Sequence, residues 1–139
     1  MIVVTGATGQ LGRQVVERLM EMVPPSTIAL SVRDPQKAVD MAAAGVGVRE
    51  SDFTDHDSMV RAFTGADKVL IISTRGPGVV AEHLGAVAAA AAAGVPHVVY
   101  TSGTQAEGTT TAGVHKQTEA AIRSAGMTYT FLRNNLYAD

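Results

Sequence analysis

One short stretch near the start of the chain constrains its fold more than any other: Gly6-Ala-Thr-Gly-Gln-Leu-Gly12. It follows a continuous apolar run at residues 2–4, Ile-Val-Val, of the kind a strand covered on both faces requires. After it, residues 13–20 place Val15, Val16, Leu19 and Met20 on one side of a helix. A glycine-rich turn from buried strand into helix leaves unpaired backbone N–H groups at the positive end of the helix dipole, where a phosphate fits. Each glycine has its own task. Gly6 permits the tight turn, Gly9 lets the backbone approach a pyrophosphate, and Gly12 allows the helix to pack close to the strand. Gly6, Thr8, Gly9, Gln10, Leu11 and Gly12 are therefore the candidate phosphate-binding turn. The plainer alternative is an ordinary strand–helix turn with incidental glycines.

The same rhythm recurs along the chain. Apolar strand-like runs at 27–32, 46–50, 67–73, 97–101 and 127–132 alternate with helical patterns at 34–44, 54–63, 79–93 and 114–125. Asp34-Pro35 has the form of an N-cap followed by proline in the first turn, and Thr54 with Asp57 that of a capping box. The seven alanines between Ala86 and Ala93 favour helix, and their small side chains suit close packing on a sheet. Residues 102–113 carry glycines and a threonine run and are expected to be a loop. Six strands with crossovers of this length predict an α/β doubly wound parallel sheet, order 3-2-1-4-5-6, in one domain spanning 1–139. Its ligand crevice should open between strands 1 and 4, at their carboxyl ends.

Composition narrows the function. A net charge of −2 gives no basic surface for nucleic acid or an anionic membrane. The absence of cysteine excludes disulfides, thiolate metal sites and a cysteine nucleophile. No apolar run reaches membrane-spanning length, so a cytoplasmic location is the default expectation. His56, His83 and His97 show no paired ligand spacing, and no metal site is expected.

Arg33 ends the second strand, where folds selective for an unphosphorylated ribose place an acid. With Lys37 one helical turn on, it can form a cationic pocket for a 2′-phosphate, or the two can be solvated surface cations. Ser73, at the end of the fourth strand, can line the same crevice or simply end the strand.

The glycine spacing resembles that of atypical short-chain dehydrogenases/reductases, in the branch of NmrA-like proteins and NADPH-dependent quinone reductases. The resemblance extends over most of the chain and implies an NADP(H)-binding Rossmann-like domain. Val32-Arg-Asp-Pro-Gln-Lys37 is similar to the NADP-selecting segment of the quinone reductases. Asp52-Phe53 is similar to their acid–aromatic pair beside the adenine; from the residues alone, a turn aspartate and a core phenylalanine fit equally well. The Tyr-x-x-x-Lys of classical short-chain dehydrogenases is absent: Tyr100 is followed by Thr104, and Tyr129 by Arg133. In its place His115-Lys-Gln-Thr-Glu119 resembles a segment of quinone and triphenylmethane-dye reductases. His115 and Glu119 share a helical face, where a carboxylate can orient a histidine or form a plain surface pair. The run Thr128-Tyr-Thr-Phe-Leu-Arg-Asn-Asn-Leu-Tyr137 is another close match, and it implies that Asn134 and Tyr137 stand near nicotinamide and substrate.

The resemblance thus implies NADPH as cofactor and a small electron-poor acceptor, a quinone or dye, as partner. Loss of the tyrosine suits that chemistry, because a quinone gives a stabilised phenolate and needs less acid assistance than a ketone. A nucleotide-sensing regulator of the NmrA type is the alternative. An epimerase or dehydratase is disfavoured by the missing Tyr-x-x-x-Lys. Proteins of this family normally continue into a smaller portion that closes over substrate, which these 139 residues do not include. Oligomeric state is not legible.

Overall fold

The computed structural model describes residues 1–103 and 110–134, with side chains of the second stretch from residue 113. Strands β1 (Ile2–Thr5), β2 (Ile28–Val32), β3 (Gly47–Glu50), β4 (Lys68–Ile71), β5 (His97–Gly103) and β6 (Thr128–Asn134) alternate with helices. The helices are α1 (Gln10–Met22), α2 (Val39–Ala43), α3 (His56–Phe63), α4 (Val79–Ala92) and α5 (Thr110–Ser124). The strands form one sheet in the order β3-β2-β1-β4-β5-β6, with every pair parallel, as the alternation predicts.

Adjacent residues of one strand feed opposite faces of the sheet. Val3 joins a core with Met59 and Phe63 of α3, Ala86 and Ala90 of α4, and Ile122 of α5. Val4, beside it, joins a second core with Val16 of α1 and Met41 of α2. The helices therefore cover both faces, and the strands between them read as continuous apolar runs for that reason.

Where β1 and β4 part, their ladder ends and Thr5 takes over. Its hydroxyl donates to Leu70 O (3.2 Å) and accepts from the Ile72 N–H (3.0 Å). Thr101 repeats the device one strand along, accepting from the Ser73 N–H (2.8 Å). Side chains thus pair backbone groups that the diverging strands leave without ladder partners.

Several local expectations need correction. Helix α1 starts at Gln10 rather than residue 13, with Gly9 as its N-cap. The expected helix at 34–44 is a 3-10 turn, Pro35–Ala38, followed by the short α2; Asp34 does cap it, accepting from the Gln36 N–H. The cap of α3 is Asp55, which accepts from the Ser58 N–H, while Thr54 turns its own groups toward Asp52. The expected loop at 102–113 gives its first two residues to β5 and its last four to α5; residues 104–109 lie outside the described set. Strand β6 is an edge, and its alternation is not expressed as burial: only Phe131 is half-buried.

Gly12 is the tightest point of the first crossover. A Cβ there would fall 2.1 Å from Gly6 O and 2.6 Å from Ala7 Cα, both backbone atoms that cannot swing aside. Gly12→Ala is expected to lower stability by about 2 kcal/mol or more in urea denaturation, as an overpacked contact with rigid neighbours does. Unchanged stability would mean that α1 can lift off the turn freely.

Candidate functional site

The carboxyl ends of β3, β2, β1 and β4 enclose a cleft of about 270 Å³. Gly6 and Thr8 line it at the end of β1, Arg33 and Asp52 at the ends of β2 and β3, and Thr74 and Glu82 beyond β4. The cleft includes the reversal point expected between β1 and β4 but extends mainly over the ends of β2 and β3, and Gly9, Gln10, Leu11 and Gly12 are not part of its lining.

The glycines divide the work of the turn. Gly6 has φ of +62°, a left-handed conformation that other residues adopt at a cost. Gly12 is required by the contact just described. Gly9 is different: its φ and ψ are −78° and 173°, open to any residue, and a Cβ would meet only Gly6 O at 3.4 Å. As N-cap it offers no side chain to the first-turn N–H groups, and that turn carries no acid. Gln10 and Leu11 are exposed on the same turn.

Arg33 follows β2 directly, is exposed and lines the cleft. Lys37 is exposed but does not line it; it sits in the 3-10 turn beyond the cap, and its carbonyl accepts from Arg13 (2.6 Å). The shared helical face expected for Arg33 and Lys37 is therefore absent, because Arg33 precedes the cap. Asp52 and Phe53 both line the cleft. Asp52 Oδ1 accepts from the Thr54 N–H (2.8 Å) and hydroxyl (2.7 Å), which hold its carboxyl below the usual carboxylate range. Phe53 also rests against the α3–α4 core, so the turn and core readings of this pair hold alongside its place in the cleft. Ser73 stays behind the lining, tied to Thr101.

His115 and Glu119 are both buried on the inner face of α5, but no hydrogen bond joins them among the described residues. Glu119, 2 % exposed, accepts from Arg133 Nη2 (2.7 Å) and Nε (3.1 Å) and from the Ser102 hydroxyl (2.6 Å). Burial opposes its ionisation more than any other single influence. The hydrogen bonds of Arg133 and Ser102, with the charges of Arg133 and Arg123, still hold its pKa below the usual glutamate value. Glu119 is therefore a buried anchor between β5, α5 and β6. His115 pairs instead with Tyr100, whose hydroxyl lies 2.7 Å from Nδ1. Burial depresses the His115 pKa, with Glu119 opposing. Asn134 ends β6 opposite Gly103, and Tyr137 lies outside the described residues.

Sequence reasoning missed His83 and Tyr100, which have no exposed surface. His83 accepts at Nε2 from the Thr74 N–H (2.9 Å), and its Nδ1 lies 3.1 Å from the Thr118 hydroxyl. The signal was present: residues 83, 86, 87 and 90 make one apolar stripe of α4, with a histidine at its first position. Burial, with the nearby His115 second, pushes the His83 pKa down to about 4; burial, opposed by a hydrogen bond with Thr118 and aided by the Glu119 charge, pushes Tyr100 up to about 12. Among the described residues no cluster of metal-ligating side chains occurs, and no helix is long and apolar enough to cross a membrane.

A parallel doubly wound sheet in this order, with a glycine turn at its reversal point, is a Rossmann-like fold. The NmrA-like family model matches residues 1–139, and the chain belongs to that family. It is 43% identical to quinone oxidoreductase 2 of Escherichia coli K12, over all of this chain and 50% of that protein. It is 29% identical to the NAD(P)H azoreductase of Xenophilus azovorans, over 99% of this chain and 48% of that one. Among solved structures, the Citrobacter sp. triphenylmethane reductase complexed with NADP(H) superposes with a TM-score of 0.94 at 44% identity, covering 100% of this chain and 51% of that one. The E. coli NADPH-dependent quinone oxidoreductase complexed with NADPH gives 0.94 at 41%, covering 99% and 50%. The chain spans about half the length of these relatives.

The depressed histidines make stability pH-dependent. An unfolded histidine binds a proton near pH 6.5, whereas folded His83 does so only near 4, so between these values the unfolded state holds more protons. Stability is expected to be at its plateau above pH 6.5 and to fall as pH drops toward 4, by up to one proton's slope from His83. His83→Gln should flatten that fall in urea titrations at stepped pH. An equal slope in both proteins would assign it to other groups.

Proposed function

We propose that residues 1–139 form an NADP(H)-binding domain and serve a reductase that delivers hydride to a quinone or a similar electron-poor acceptor. Gly9 carries this reading. The packing of the chain itself accounts for Gly6 and Gly12 but asks nothing of Gly9, and a bare Cα on that exposed turn, next to the cleft-lining Thr8, suits the close approach of a phosphate. The uncapped first turn of α1 supplies N–H donors and a positive dipole end at that place, which suits a pyrophosphate.

The rest of the cleft fits the remainder of the nucleotide. Arg33 stands where a 2′-phosphate would emerge and can bind it with charge-assisted hydrogen bonds. Asp52 and Phe53, at the same end, suit an adenine amino group and its flat face. NADPH, when bound, supplies the hydride, and the protein supplies orientation and exclusion of water. His115 and Asn134 lie at the β5–β6 end of the same edge, where an acceptor oxygen gaining negative charge would need a hydrogen-bond donor. Glu119 and Arg133, locked to one another, serve that end as structure. The relatives named above are reductases, which supports this reading over a nucleotide sensor.

Two variants test it. Arg33→Ala should weaken NADPH binding by about 10- to 100-fold, the worth of a charge-assisted hydrogen bond, and leave NADH binding nearly unchanged. Equal losses for both nucleotides would assign Arg33 to the fold. Gly9→Val should abolish binding of both nucleotides in a nicotinamide fluorescence titration while circular dichroism stays native. Retained binding would place the phosphates elsewhere.

A further inference from the structure

Behind the cleft, a line of buried polar groups runs from Thr74, at the end of β4, to His115 on α5. We propose that Thr74, His83, Thr118 and Tyr100 form a positioning relay that fixes His115 as the tautomer protonated at Nε2, so that it presents a donor at the carboxyl edge of β5.

The direction of the relay follows from one unambiguous donor. The backbone N–H of Thr74 points at His83 Nε2 (2.9 Å), so that nitrogen must offer its lone pair, and the proton of a neutral His83 resides on Nδ1. Thr118 donates its hydroxyl proton to Val114 O (3.0 Å), which leaves its oxygen to accept from His83 Nδ1–H (3.1 Å). Tyr100 Oη lies 3.4 Å from the same Nδ1 and 2.7 Å from His115 Nδ1. A protonated His83 Nδ1 cannot take the tyrosine proton, and the Thr118 oxygen is already engaged by His83 and Val114, so the short 2.7 Å contact to His115 Nδ1 is the favoured place for it. Tyr100 therefore donates to His115 Nδ1, and the proton of neutral His115 sits on Nε2.

The far side of the ring is fixed as well. A Cβ at Gly103 would fall 2.9 Å from His115 Cδ2 and 3.1 Å from Nε2, so a bare glycine is what lets the ring lie against β5. Asn134 O is 3.6 Å from that same position, which sets this edge of the ring at the β5–β6 end of the sheet. Thr74 and Glu82, joined by a 2.9 Å hydrogen bond, line the cleft at the other end of the relay. One continuous network thus connects the cleft wall to His115. Its use, donation to an acceptor oxygen that gains negative charge, rests on the reductase reading; the tautomer does not.

The test is two-bond proton–nitrogen correlation NMR of the whole chain labelled with 15N-histidine, near pH 7.5 and without nucleotide. The expected native spectrum shows His83 protonated at Nδ1 and His115 at Nε2. His115 protonated at Nδ1, with Tyr100 turning its proton to Thr118, would overturn the relay, and this measurement needs no variant. In Tyr100→Phe, the Nε2–H preference of His115 should fall by about 2- to 12-fold, the worth of one neutral hydrogen bond, while His83 keeps its tautomer. An unchanged His115 pattern in that variant would also overturn the proposal, since a tyrosine that merely fills space would leave the tautomer alone. NADPH titration of the same samples tests the functional reading separately: the expected tautomers without binding would refute the cofactor assignment and leave the relay standing.

Discussion

The contact on which the rest of this structure depends is the approach of Gly12 to the carbonyl of Gly6. It brings α1 down onto the end of β1 so closely that a single methyl would collide with backbone. From there α1 runs over one face of the sheet, while the crossovers through α3, α4 and α5 cover the other. The two sets of helices leave in opposite directions from neighbouring strands, and the gap between them is the cleft. A crevice in this fold is a consequence of winding, and the glycine turn contributes Gly6, Ala7 and Thr8 to its lining.

Opening such a gap strands the polar ends of β4 and β5 inside the molecule, and an unpaired buried donor or acceptor costs about 1–3 kcal/mol. The chain answers with side chains at each strand end. Thr5, Thr101 and His83 take up backbone groups where the ladders stop, His83 accepting from the Thr74 N–H. Among the described residues, no buried side-chain nitrogen or oxygen lacks a partner. Full pairing gives the network direction: the Thr74 N–H fixes one ring nitrogen of His83, and the proposed relay carries that choice through Tyr100 to His115.

Glu119 shows how the same economy treats charge. A carboxylate 2 % exposed would be prohibitive alone, but Arg133 meets it with two hydrogen bonds and Ser102 with a third. The arrangement ties α5 to β5 and to the edge strand β6. Removing one partner would leave a buried charge behind, so the ion pair behaves as a structural joint.

The glycine turn, the strand–helix alternation and the strand order were legible in the sequence because each rests on near neighbours or on the fixed hand of parallel crossovers. Gly6, Thr8, Arg33, Asp52 and Phe53, read from positions at strand ends, do line one cleft. Lys37 shows the limit of that reading: helical spacing from Arg33 means nothing when the cap falls between them. His115 and Glu119 mark a second limit, since a shared helical face says two side chains can meet, and tertiary neighbours decide whether they do. Tyr100 and Arg133 captured them from other elements. His83, Tyr100 and Thr118 come from α4, β5 and α5, and their meeting depends on strand register and on how far each helix lies along the sheet. Those quantities are set by packing between segments remote in the chain, so the buried relay belongs to the tertiary structure alone.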